Sequence, residues 1–171
     1  MPLKPLKLKA MGSLPAALLC AGLFIANGDV ANADVTAPFA GLSGKWSGDG
    51  SIILTKGTTE RLRCDATYVV GGGGENMDLT LRCTSDSYHF DLRIGLADTA
   101  GTVLGNWSEA SQNVEGGISG TGSKGLIQVT ARGQTFSAAV TVATHGSQQS
   151  VRIRAKSGEL SQVNITLRHA H

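Results

Sequence analysis

The chain has 171 residues, 41% of them apolar, with 15 Lys and Arg against 13 Asp and Glu. That is room for one domain with a real core. So small a charge excess supplies no basic face for nucleic acid or an anionic membrane.

The chain opens on a leader pattern. Lys4, Lys7 and Lys9 form a basic head, and Leu14 to Ala26 is an apolar run too short to span a bilayer comfortably. "ANA" at Ala31–Ala33 then supplies the small-x-small site that a signal peptidase reads. The pattern predicts a signal peptide over 1–33, a mature start at Asp34 and an N-terminal segment over 34–43. Cys20 is preceded by the large Leu19, which disfavours a lipidation box. Cleavage removes Lys4, Lys7, Lys9 and Asp29, leaving twelve charges of each sign. It also leaves Cys64 and Cys83 as an even pair, which in an exported chain reads as a disulfide.

From Gly44 onward the hydrophobic period is two. Trp46, Ile52 and Leu54 alternate with Lys45, Asp49 and Ser51 in the first strand. Leu62, Cys64, Ala66, Tyr68 and Val70 alternate with Arg61, Arg63 and Asp65 in the second. Met77–Cys83 and Tyr88–Leu96 continue the habit. So do Val103–Trp107, Val114–Gly120, Leu126–Ala131, Phe136–Val142, Val151–Ala155 and Val163–Leu167. Short turns rich in Gly, Ser, Asn and Asp separate them. The expected fold is all-β: an antiparallel up-and-down β-barrel of about ten strands over 44–171, closed so that no sheet edge is left exposed.

The stretch "LRCDATYVVGGGGENMDLTLRC" fixes one register. Pairing Val70 with Met77 also pairs Tyr68 with Leu79, Ala66 with Leu81 and Cys64 with Cys83. A one-residue slip would turn one apolar set outward. A four-residue loop, Gly72 to Glu75, brings the thiols closer than a two-residue turn would. Its glycines then serve as turn residues.

Catalytic signatures are scarce. His89 falls on a polar face, His145 in the "THGSQQ" turn, and His169 and His171 in a terminal H-x-H that reads as a frayed tail. "SGTGSKG" at Ser119–Gly125 lacks the Lys-Ser/Thr and the helix of a P-loop. Asp49 and Glu109 are carboxylates that spacing alone cannot bring together. The chain is therefore expected to be no enzyme, with no catalytic residue, no metal site and no cofactor. The leading partner class is a small hydrophobic ligand, with any protein partner left open; no nucleic-acid partner and no transmembrane segment in the mature chain are expected.

Trp46, Tyr68, Tyr88, Phe90, Trp107 and Phe136 share the inward parity and are the candidate ligand-binding residues. The same parity holds Gly48, Gly50, Ala66, Gly105, Gly116, Gly120, Ala131 and Ala138. Two outcomes stay open: the missing side chains leave a cavity, or the glycines mark sharp coiling where the barrel flattens into a filled sandwich. On the outer parity, Arg61, Arg63, Arg82, Arg93, Arg152 and Arg154 recur, either as solubilising charge or as an interaction surface.

"LSGKW", with Gly44 and Trp46, resembles the G-x-W of the calycins, the lipocalin and fatty-acid-binding-protein superfamily; the lipocalin T-D-Y motif is absent. The resemblance implies a tryptophan plugging one barrel end and a late basic residue, Arg168 in "ITLRH", packing across it. "ERLRC", "LRCTS" and "GNWSE" look like small exported proteins of unknown role from Gram-negative bacteria, which implies a periplasmic or secreted location. The chain is also similar to periplasmic metalloprotease-inhibitor barrels, which implies that Asp34–Leu42 serves as a free inhibitory arm. An envelope interaction protein or inhibitor is thus the alternative to a periplasmic carrier of an apolar or amphipathic ligand.

Overall fold

The computed structural model describes residues 37–170. The expected signal peptide, the start at Asp34, Cys20 and His171 lie outside the described residues.

Ten strands follow one another: β1 Gly44–Leu54, β2 Thr59–Gly71, β3 Asn76–Thr84, β4 His89–Thr99, β5 Thr102–Glu109, β6 Val114–Ser123, β7 Leu126–Gly133, β8 Ser137–His145, β9 Gln148–Ala155 and β10 Leu160–His169. Each pairs with the next, and β1 pairs with β10, so the antiparallel sheet closes into a barrel. Period-two patterning is the cause. Leu62, Cys64, Ala66 and Tyr68 are buried while Arg61, Arg63, Asp65 and Thr67 are exposed. Apolar side chains point in and charged ones out, the inverse of a lipid-facing barrel. No helix among the described residues is long and apolar enough to cross a membrane.

The β2–β3 hairpin has the predicted register, from Val70 opposite Met77 to Cys64 opposite Cys83. The two cysteines form a disulfide with Cα atoms 4.1 Å apart. Four residues connect the strands, beginning with a single 3₁₀ turn, Gly72–Gly74, in which Gly73 has φ 68°. Gly74 is also needed for space, because a Cβ there would sit 2.9 Å from that of Ala37.

That contact introduces the closed end. Ala37, Pro38, Phe39 and Leu42 are buried, and the Phe39 amide donates to the Gly74 carbonyl at 3.2 Å. Burying Phe39 and Leu42 contributes roughly 1.5–3 kcal/mol each. The described part of the 34–43 segment is therefore a plug folded into the barrel end, which corrects the expectation of a free inhibitory arm. The terminus differs too. His169 belongs to β10, and its ring meets the Trp46 indole edge-on with centroids 4.9 Å apart. Arg168, the residue implied by the calycin resemblance, is exposed.

The inward glycines answer part of the open question. A Cβ on Gly48 would run into the Thr166 carbonyl oxygen, and one on Gly116 into that of Arg132. These glycines mark places where a strand coils tightly against its neighbour. The interior nevertheless stays open.

Candidate ligand-binding cavity

The barrel encloses a cavity of about 990 Å³, near the upper end of the roughly 300–1,000 Å³ usual for small-molecule sites. Its lower wall comes from residues near the plug: Leu42, Tyr68, Met77, Leu96, Ile127 and Leu167. Its mouth lies at the other end, where Tyr88, Phe90, Trp107 and Phe136 meet the turns at Ala110–Asn113 and Gln134–Thr135. Burial separates packed from open wall: Leu62 and Leu167 are fully packed, whereas Leu79, Leu92, Ile94, Val140 and Ile153 are inward yet only partly buried, because they face the open space.

Five of the six candidate residues line this space. Tyr88 and Phe90 stand two apart on one face with rings stacked 6.0 Å centre to centre. Trp107 and Phe136 meet edge-on at 5.8 Å, and the Trp107 N–H donates to the Arg132 carbonyl at 3.3 Å. Two glycines fit that indole. A Cβ at Gly116 would lie 2.7 Å from its nitrogen, and one at Gly133 would lie 3.1 Å from its ring. Trp46 is the exception and does not line the cavity. It is 1% exposed, donates its N–H to the Leu42 carbonyl at 2.8 Å, and packs against Tyr68 and His169. It belongs to the closed end.

Tyr68 carries a polar contact that the period-two pattern did not reveal. Its hydroxyl donates to Gln149 Oε1 at 2.6 Å, and Gln149 Nε2 donates to Thr144 Oγ1 at 3.1 Å. Gln149 is completely buried. Burial pushes the Tyr68 phenol up to about 12, against the opposing effect of the Gln149 contact. The phenol therefore stays protonated and neutral at physiological pH. The inward parity of Gln149 was available in the sequence, but its partner across the barrel was not.

At the mouth, Glu109 is 5% exposed. Its Oε1 accepts from the Asp91 amide at 2.9 Å, the Ser111 amide at 3.2 Å and the Ser111 hydroxyl at 2.6 Å, while Oε2 accepts from the Gln112 amide at 2.6 Å. Burial opposes ionisation, but these hydrogen bonds outweigh it and hold the carboxyl below the usual carboxylate range. The charge organises the β5–β6 turn. Asp49 is exposed on the outer face of β1, so the two carboxylates form no catalytic pair. His89 and His145 are exposed as well.

No protein-family model matches the chain, and no curated protein matches it in sequence. Solved structures match in fold. The S-type phycobiliprotein lyase CPES from Guillardia theta is 11% identical with a TM-score of 0.52, over 75% of this chain and 88% of that one. Rv2717c from M. tuberculosis is 13% identical with a TM-score of 0.58, over 76% and 93%. The likeness to both is one of fold, the closed β-barrel.

The lyase corrects one expectation. The scarcity of catalytic motifs suggested that the chain is no enzyme, yet the phycobiliprotein lyase carries the same kind of barrel. Absence of familiar motifs is thus no ground for excluding an activity in this fold.

Proposed function

We propose that the chain is exported to the periplasm or beyond, and that its barrel holds a small apolar or amphipathic molecule. The single observation behind the binding reading is the cavity of about 990 Å³, walled in its interior by aliphatic and aromatic side chains and entered from one end through a polar rim. Water in such a space finds few hydrogen-bond partners, so replacing it with an apolar ligand is favourable. Tyr68, Tyr88, Phe90, Trp107 and Phe136 supply the aromatic contacts. Export rests on the leader pattern of residues 1–33, and the Cys64–Cys83 bond is consistent with an oxidising compartment.

Native mass spectrometry of freshly purified protein tests the binding reading. A population heavier than the processed chain, losing an organic-extractable mass on activation, is the expected result. A single ligand-free species from every expression host, with no uptake of added apolar compounds, would count against it.

A further inference from the structure

Resting on the reading of the cavity as a ligand site, we propose that it selects its ligand by the charge of the head group, taking alcohols and amines and rejecting carboxylates. Among the described residues lining the cavity there is no Lys, Arg or His. The charged groups that do line it are Glu109, Glu115 and Glu159, all at the mouth end. Lys56 and Lys156 lie in turns at the same end, but both are exposed and neither lines the cavity.

The consequence follows from the shape. A molecule with its chain in the apolar interior must leave its head deep in the barrel or at the mouth. An ionised carboxylate deep inside would be a buried charge with no cation to pair it, at high desolvation cost. At the mouth it would face like charges. Glu109 is the fixed one, since its oxygens are held by Ser111 and Gln112 of the β5–β6 turn and by the Asp91 amide of β4. At the mouth an ammonium head meets carboxylates of opposite charge, and a hydroxyl head carries no charge to desolvate at either depth. The neutral side chains of Gln112, Asn113, Gln134 and Thr135 at the same rim offer it donors and acceptors.

The test uses the mature protein loaded with the uncharged fluorophore N-phenyl-1-naphthylamine, then challenged at neutral pH with dodecanol, dodecylamine or dodecanoate. The three differ only at the head. Dodecanol and dodecylamine are expected to displace the fluorophore at concentrations roughly tenfold or more below dodecanoate, as like-charge juxtaposition requires. The Glu115→Gln/Glu159→Gln variant changes two exposed side chains and should narrow that gap. Equal or better displacement by dodecanoate overturns the selectivity while leaving the cavity a ligand site. Failure of the fluorophore to enter, with no response to any of the three, overturns the ligand site itself and the selectivity with it.

Discussion

His169 and Trp46 close one end of the barrel as an edge-on ring pair, and Gly44 makes room for it. The His169 ring nitrogen lies 3.1 Å from the Ser43 carbonyl oxygen, and a Cβ at Gly44 would stand 2.6 Å from that same nitrogen. Gly44 also has φ +122°, a conformation that side chains resist. The G-x-W spacing is thus a steric requirement. Gly44→Ala should destabilise the fold by about 1–3 kcal/mol. His169→Ala should lose about 1–2 kcal/mol from the ring pair and the carbonyl contact. Urea unfolding checks both; an Arg168→Ala variant, altered at an exposed side chain, should stay within about 0.5 kcal/mol of the parent.

The disulfide joins residues that register already places opposite each other. Cys64→Ala/Cys83→Ala should therefore keep the β-rich circular dichroism spectrum while losing about 2–4 kcal/mol of stability. Thiol titration of the unfolded, unreduced mature protein should find none free. Two free thiols per chain would contradict both the bond and the oxidising compartment.

Acid should loosen the mouth first. Glu109 has its carboxyl held below the ordinary range in the folded state, so its stabilisation is complete above the unfolded carboxylate pKa of about 4.3. It is lost as pH falls through the lower folded value. Glu60 shifts in the same direction, through the Ser85 hydroxyl and the Ser87 amide, and contributes to the same acid limb. Glu109→Gln should cost about 1–3 kcal/mol at neutral pH by leaving amides poorly satisfied. It should also flatten part of the stability loss below about pH 4. Urea midpoints measured at neutral and acid pH would show a variant as acid-sensitive as the parent if this account of the turn were wrong.

The strands were legible because apolar residues recur every second position, and a one-residue slip in any of them would expose a whole face. Val70 opposite Met77 was enough to place Cys64 opposite Cys83. Which inward residues face open space was not legible, since parity says inward without showing that the plug covers Trp46 and leaves Trp107 at the cavity. The plug was hidden because Pro38–Leu42 has no period to read. Parity already put His169 inward and Arg168 outward, and the calycin resemblance pointed one position early. For the glycines, a missing side chain was visible but the carbonyl pressing against it was not, because that depends on how strongly β1 and β6 coil.

Uptake of an apolar guest by the open interior can be measured directly. Val140 is inward, partly exposed to the cavity and remote from the plug, so Val140→Trp puts an indole into the open space without disturbing a packed layer. Equilibrium titration of N-phenyl-1-naphthylamine into both proteins compares the empty and the filled barrel directly. The parent should show saturable uptake of one probe per chain with enhanced emission, and Val140→Trp, still folded by circular dichroism, should lose about tenfold or more in affinity. Equal uptake by the two would place the probe outside the barrel and contradict uptake by the interior.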